Sequence, residues 1–211
     1  MARLGVDRAG WPFIGVALAV AVALGVVMTW AAALPFLVLA AFFTFFFRDP
    51  ERVPPTGRDL VLSPADGRIL VAGPANPAAA PPGQWQQISI FLSPMDVHVN
   101  RMPVSGRVTS VTFLPGRFLP AYRHEAATAN ERSEVFIDHG GQTVVARQIV
   151  GFLARRVVCR AKVGAEVAAG ERFGVMKFGS RMDVFLPLKA SIRITVGQVV
   201  RGGETVIAVL D

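Results

Sequence analysis

The chain has 211 residues, 52% of them hydrophobic, a formal charge of +7 and a single cysteine, Cys159. That length suits one ordinary domain with an appendage, the lone cysteine excludes an internal disulfide, and the apolar fraction is high for a soluble protein. Arginine carries most of the positive charge, with lysine only at Lys162, Lys177 and Lys189; without any run of interleaved aromatic and basic residues, it points to an anionic lipid surface and away from nucleic acid.

From Trp11 to Phe47 no residue is charged. A single helix of that length would rise about 55 Å against a hydrocarbon core of roughly 30 Å, so one straight span is excluded. Pro35 lacks an amide donor and biases its predecessor away from helix, which predicts a break across Ala31–Pro35 and two helices over 12–31 and 35–47. The second is short for a full crossing, and a hairpin or a partly re-entrant segment satisfies the pattern. Arg3 and Arg8 precede the apolar run while Arg48, Arg52 and Arg58 follow it, which puts both ends on the cytoplasmic side. The run is too long for a signal peptide. Residues 1–50 therefore read as a membrane-anchoring segment of a bacterial-type inner membrane, with the rest of the chain on the cytoplasmic face.

Residues 51–211 change character. Short Val-, Ile- and Phe-rich runs alternate with Gly, Pro and Asp turns, which predicts a mainly β domain. Strands are expected over 60–62, 67–72, 85–92, 106–113, 134–138, 143–149, 157–159, 172–178 and 183–187, with two more near the end. Asp138-His-Gly-Gly141 reads as a hairpin turn, and the Pro-rich stretch Gly73–Gly83 as a loop without chemistry. Val163-Gly-Ala-Glu-Val-Ala-Ala-Gly-Glu171 returns as Val196-Gly-Gln-Val-Val-Arg-Gly-Gly-Glu204. Two such turns, each leading into a strand, suggest pseudo-symmetric halves of a small barrel or sandwich. The pattern resembles the turns of lipoyl and biotinyl carrier domains, whose modified lysine follows such a strand. Lys177 stands at a comparable place, and a carrier modified there is the rival reading.

Polar residues with chemical potential are few. In Ser93-Pro-Met-Asp-Val-His-Val-Asn-Arg-Met-Pro103, strand alternation would put Asp96, His98 and Asn100 on one face and Val97 and Val99 on the other. His98 is a structural histidine or a base on this pattern alone. His124 and His139 fall in polar and turn contexts and read as solvated; Cys159 reads as a buried, inert thiol. Asp66 in Ser63-Pro-Ala-Asp-Gly-Arg68 begins as a turn residue, and Ser180 as one more serine after a glycine.

Their joint context adds a resemblance. "FFRDPER" at 46–52, "SPADGRI" at 63–69, "IFLSPMDVHVNRMPVSG" at 90–106, "NERSE" at 130–134, "QIVGFLARR" at 148–156 and "GERFGVMKFGSRMDVFLP" at 170–187 resemble, in order, the phosphatidylserine decarboxylase family in its short form. The resemblance implies a proenzyme that breaks its own Gly179–Ser180 bond and turns Ser180 into a covalent pyruvoyl group. It also implies two chains, 1–179 and 180–211, that remain together as a heterodimer. By the same resemblance Asp66 and Ser180 match the aspartate and serine of an Asp-His-Ser arrangement. In longer relatives the segment carries two histidines three residues apart; the second position is Arg101 here, which leaves His98. Where the long form has Leu-Gly-Ser-Thr, this chain has Phe178-Gly-Ser-Arg181.

Chemically, a hydroxyl is a weak nucleophile at neutral pH and needs a base oriented by a third group. Glycine before the serine suits a strained turn that a side chain would obstruct. The implied mature reaction joins the amine of phosphatidylserine to the pyruvoyl ketone as a Schiff base and releases phosphatidylethanolamine. It calls for no metal and no pyridoxal phosphate.

Overall fold

The computed structural model describes residues 4–123, 125–151, 157–177 and 179–211. His124, expected to be solvated, and Phe178 lie outside the described residues. The chain divides into two compact units, Met1–Glu51 and Arg52–Asp211.

In the first unit, strand β1 (Leu4–Val6) and a short 3-10 turn lead into helix α1 (Trp11–Val27), followed by helix α2 (Trp30–Phe46) and strand β2 (Arg48–Pro50). The helices form an antiparallel hairpin closed at its open end by the β1–β2 pair, where Gly5 faces Asp49. Small and aromatic residues set the packing: a Cβ on Gly25 would lie 3.5 Å from that of Ala33, and the Phe13 ring centroid lies 5.4 Å from that of Phe43. The break falls at Met28–Thr29, not at the expected Ala31–Pro35. Thr29 is extended (φ −153°, ψ 157°) and its hydroxyl caps the Ala32 amide, so helix restarts at Trp30 and Pro35 is carried within α2. The physical reason is that an N-cap residue outweighs the one lost donor of a proline near the helix start. The continuous run Arg8–Val27 is long and apolar enough to cross a membrane, whereas α2 has 17 residues.

The second unit is mainly β. Its strands are β3 (Leu60–Leu62), β4 (Gly67–Pro74), β5 (Gln86–Leu92), β6 (Val99–Arg101), β7 (Gly106–Leu114), β8 (Arg132–His139), β9 (Gln142–Val150), β10 (Val157–Cys159), β11 (Glu166–Val167), β12 (Arg172–Met176), β13 (Ser180–Leu186), β14 (Ser191–Ile192), β15 (Val199–Val200) and β16 (Val206–Val209). A single helical turn, α3 (Ala126–Ala129), precedes β8. Eight strands form an open sheet in the order β11-β7-β8-β9-β13-β5-β4-β15, and two three-stranded sheets run β10-β12-β6 and β14-β16-β3. Of the expected barrel or sandwich, no closed barrel forms among the described residues: the large sheet ends on β11 and β15, each only two residues long.

The strand order is palindromic. Matching β3, β4, β5 to β6, β7, β8 and β13 to β16 with β9 to β12 maps the large sheet onto its own reverse and exchanges the two small sheets. Paired contacts repeat under this operation: Leu62 N–H donates to Pro103 O and Arg101 N–H to Pro64 O, both at 2.8 Å. Gly203 N–H donates to Ser63 O at 2.7 Å and Gly170 N–H to Met102 O at 2.8 Å. The repeat is thus longer than its two glycine turns. It includes Pro64-Ala-Asp-Gly-Arg68 and Pro103-Val-Ser-Gly-Arg107, and a register shift follows each, at Ile69/Val71 and Val108/Ser110. Arg101 is 5% exposed, lies against both repeat turns and donates to Gly170 O.

Apolar residues of the large sheet, among them Ile88, Ile90, Val135, Ala146, Met182 and Val184, pack with Val61, Met102, Phe173, Met176 and Ile207 into one core. Strand β13 is buried along its whole length. On its other face Arg181 pairs with Asp183 (2.6 Å), and on the neighbouring strands Arg147 pairs with Glu134 (2.8 Å), which satisfies charges that could not otherwise be buried. Strands β12 and β13, read from the sequence as two runs meeting at a junction, are not partners of each other. The chain crosses there from a three-stranded sheet to the large one.

Candidate active site

Asp66 sits in the turn into β4. A Cβ on Gly67 would stand 2.1 Å from Phe91 O, so only glycine lets the turn close on β5. The carboxylate is held from two sides: Oδ1 accepts from Gly202 N–H at 2.7 Å, and Oδ2 from Arg52 Nη2 at 2.8 Å. Arg52 Nη1 reaches Glu204 Oε2 at 2.7 Å. Burial pushes the Asp66 carboxyl above the ordinary aspartate value; the Gly202 amide and the Arg52 guanidinium pull it back down, and the Asp96 carboxylate adds a further upward push.

His98 follows a tight turn in which Asp96 Oδ2 accepts from Ser93 N–H at 2.7 Å. The imidazole is 1% exposed and its Nδ1 lies 2.9 Å from Asp96 O. A carbonyl only accepts, so Nδ1 carries a proton, and in the neutral ring Nε2 then holds the lone pair, the tautomer a base requires. The expected alternation is only partly met. Strand β6 starts at Val99, and Val97, His98, Val99 and Asn100 are all buried, so no solvent face separates the two sets. Asn100 does find a partner: Gln148 Nε2 donates to its Oδ1 at 2.8 Å, and Ser133 Oγ donates to Gln148 Oε1 at 2.7 Å.

Ser180 opens β13 between Leu92 of β5 and Val150 of β9. It is fully buried and, among the described residues, its Oγ has no hydrogen-bond partner. Gly179 has φ +75° and nothing within 4 Å of where a Cβ would be. The preceding glycine is thus explained by backbone conformation, and the expected obstruction lies elsewhere: a Cβ on Gly151 would meet the Gly179 carbonyl oxygen at 2.1 Å. Asn130, from the "NERSE" segment, donates to Val150 O at 2.8 Å and to Leu119 O at 2.7 Å, pinning the strand end that faces Ser180.

Neighbouring contacts and strand register relate the three residues to one another. His98 O accepts from Met176 N–H at 3.1 Å, at the end of β12 that leads to Ser180. Gln148 faces Met182, one alternation along from the Val150–Ser180 pair, and bonds Asn100, one alternation along from His98. Asp66 feels Asp96, whose carbonyl holds the His98 ring. The pseudo-symmetric positions of Asp66, His98 and Ser180 are Ser105, Asp59 and Gln142. There His139 Nδ1 donates to Ser105 O at 2.6 Å and Nε2 lies 3.8 Å from Asp59 Oδ1, so these positions share one corner of the other half. This also corrects the solvated reading of His139. Asp66 itself is bonded to Arg52 and Gly202, not to His98.

Lys177 is half-buried in the crossing between sheets and not at the tip of a hairpin as a carrier lysine would be. Cys159 is half-buried, and burial pushes its thiol up, as befits an unreactive cysteine. Sequence reasoning missed Arg52, Gly151, Gly202 and Glu204. Two of them stood inside quoted motifs, "FFRDPER" and "QIVGFLARR", and two inside the second glycine turn.

Fold and site together define a β-rich protein with a buried serine after a carbonyl that occupies the space a side chain at 151 would take. Residues 39–208 match the family model described as phosphatidylserine decarboxylase. The phosphatidylserine decarboxylase proenzyme of Nitrosomonas europaea is 41% identical over 204 residues, covering 96% of this chain and 94% of that protein. The chain belongs to the phosphatidylserine decarboxylase family, and is a lyase by that membership.

Proposed function

We propose that the chain is a proenzyme that cleaves itself between Gly179 and Ser180 and then decarboxylates phosphatidylserine to phosphatidylethanolamine. The observation that carries this reading is the fully buried Ser180 Oγ, without a hydrogen-bond partner among the described residues, beside a Gly179 carbonyl whose place only a glycine at 151 leaves open.

In the first step Ser180 Oγ attacks the Gly179 carbonyl carbon. Its proton passes to His98 Nε2 and on to the Ser180 nitrogen as the C–N bond breaks, leaving an ester. Removal of the Ser180 Cα proton then expels the Gly179 carboxylate and leaves dehydroalanine, whose hydrolysis takes up water, releases ammonia and yields the pyruvoyl end. Asp66 supplies negative charge that favours the protonated His98 formed on the way. The residues fit the group, since Ser180 is its source and is buried at the start of β13. A pyruvoyl group supplies the electron sink for loss of carbon dioxide. His98 is the acid–base group for the lipid reaction as well.

The apolar hairpin of residues 1–50 suits a substrate that stays in the bilayer. The flanking arginines put residues 51–211 on the cytoplasmic face, where the basic surface attracts anionic lipid. The β unit, with its two pseudo-symmetric glycine turns, is a relative of the lipoyl and biotinyl carrier fold.

Intact mass of the purified protein tests the reading. Two chains are expected, 1–179 and a blocked 180–211, with activity on phosphatidylserine vesicles, whereas Ser180→Ala gives one inactive chain. Splitting at 179 in Ser180→Ala would overturn it.

A further inference from the structure

Asp66 occupies the turn of one half and Ser105 the same turn of the other, so the fold contains its own control for what the carboxylate requires. The glycine turns that pack against these positions also correspond, with Glu204 matching Glu171. In the half without the carboxylate, Glu171 Oε2 stays within its own turn and accepts from Ala168 N–H at 2.9 Å. In the half with it, Glu204 binds Arg52 Nη1 at 2.7 Å, and Nη2 of the same guanidinium binds Asp66 at 2.8 Å. The Arg52 side chain is 10% exposed. Gly202, which supplies the remaining bond to Asp66, passes so close to Ala65 that a Cβ would lie 3.1 Å from its Cα.

We propose that Arg52 is a positioning residue for Asp66: it fixes the carboxylate between its own guanidinium and the Gly202 amide and keeps it ionised while self-cleavage runs. The inference rests on the reading of Asp66 given under Proposed function. Its chemistry follows from the groups that face Asp66. Burial and the Asp96 carboxylate favour the neutral acid, and among the described residues Arg52 and the Gly202 N–H oppose them. Arg52 is the charged member of the opposing pair, and Glu204 orients it by taking the other prong of the fork. A planar guanidinium bridges the two carboxylates through separate nitrogens; an ammonium keeps the charge but not that fork.

The test is the pH dependence of chain splitting in full-length proenzyme, followed by gel and intact mass. In Arg52→Gln the acid limb moves to higher pH by about one unit, so splitting on that limb slows roughly tenfold, while the alkaline plateau changes little. Arg52→Lys keeps the charge, moves the limb in the same direction by a smaller step, and serves if Arg52→Gln does not fold. A purely structural arginine would instead lower the rate equally at every pH. Such a uniform loss, or an acid limb at the wild-type position in Arg52→Lys, overturns the proposal. Asp66→Asn separates the two levels. If it splits normally, the role of Asp66 is wrong; if it fails to split while the Arg52 variants keep the wild-type limb, only the role of Arg52 is wrong.

Discussion

A Cβ placed on Gly151 would stand 2.1 Å from the carbonyl oxygen of Gly179, so the residue after β9 sets where the bond before β13 can lie. Gly151→Ala must displace that carbonyl from its present place, at an overpacking cost of about 1–3 kcal/mol. We expect a folded proenzyme whose splitting is at least tenfold slower, because displacement of a reacting atom by about an ångström costs on the order of a hundredfold. A time course of the 180–211 fragment on a gel, with circular dichroism to confirm folding, checks this; wild-type splitting would remove the carbonyl's position from the mechanism.

Gly179→Ala probes the other half of the same arrangement. Its Cβ meets nothing within 4 Å, and only φ +75° resists it, a penalty of about 1–2 kcal/mol. The substitution should slow splitting less than Gly151→Ala does, by roughly five- to thirtyfold if all the strain is felt at the bond. The same time course reads the order of the two variants, and the reverse order would show that conformation at 179 outweighs packing at 151.

The contrast between these glycines shows what the sequence can convey. A glycine before a serine invites attention because both belong to one motif, whereas Gly151 acts across 28 positions through space that no local pattern encodes. The same holds for Arg52, whose partners Asp66 and Glu204 lie 14 and 152 positions away. Strand positions were legible because β-branched runs and turn glycines are local signals, so Leu60–Leu62 and Val157–Cys159 fall where alternation put them. The pseudo-two-fold was half visible: the glycine turns share their valines, glycines and closing glutamate, but Pro64-Ala-Asp-Gly-Arg68 and Pro103-Val-Ser-Gly-Arg107 differ at Asp66 and Ser105, one of the exchanges that make the halves chemically unequal. The hairpin break was misplaced because proline is a louder letter than threonine, although the cap sets the helix start.

Burial raises the Asp66 carboxyl above the ordinary value of 3.8, which predicts two pH effects. If Asp66 acts ionised, splitting is lost as pH falls through this raised pKa, so the acid limb lies above 3.8; a limb at or below that value would detach Asp66 from it. The stability effect has the opposite sense. A carboxyl that binds its proton more tightly when folded contributes most below the unfolded pKa and loses that contribution as pH rises through the folded one. In the Ser180→Ala background, Asp66→Asn should therefore gain in Tm relative to its parent as pH rises across that window, and the gap should be constant above it. Calorimetry at a series of pH values reads the slope directly.

The cut would leave residues 180–211 as a separate chain, and its place in the sheet determines what happens next. Strand β13 is an interior strand, paired residue by residue with β5 from Ser180↔Leu92 to Leu186↔Gln86 and with β9 over Ser180–Phe185. Its Met182, Val184 and Leu186 are fully buried in the shared core, and β15 and β16 of the same fragment pair with β4 and β3 of the other. Each buried aliphatic side chain contributes about 1.5–3 kcal/mol, and the ladder cannot open on one side without exposing amides on the other. The two chains should therefore elute as one particle in size-exclusion chromatography under native conditions and separate only in denaturant. Release of 180–211 in native buffer would mean that β13 is not held as an interior strand once its amino end is free, and a pyruvoyl group on it could not then be kept beside His98.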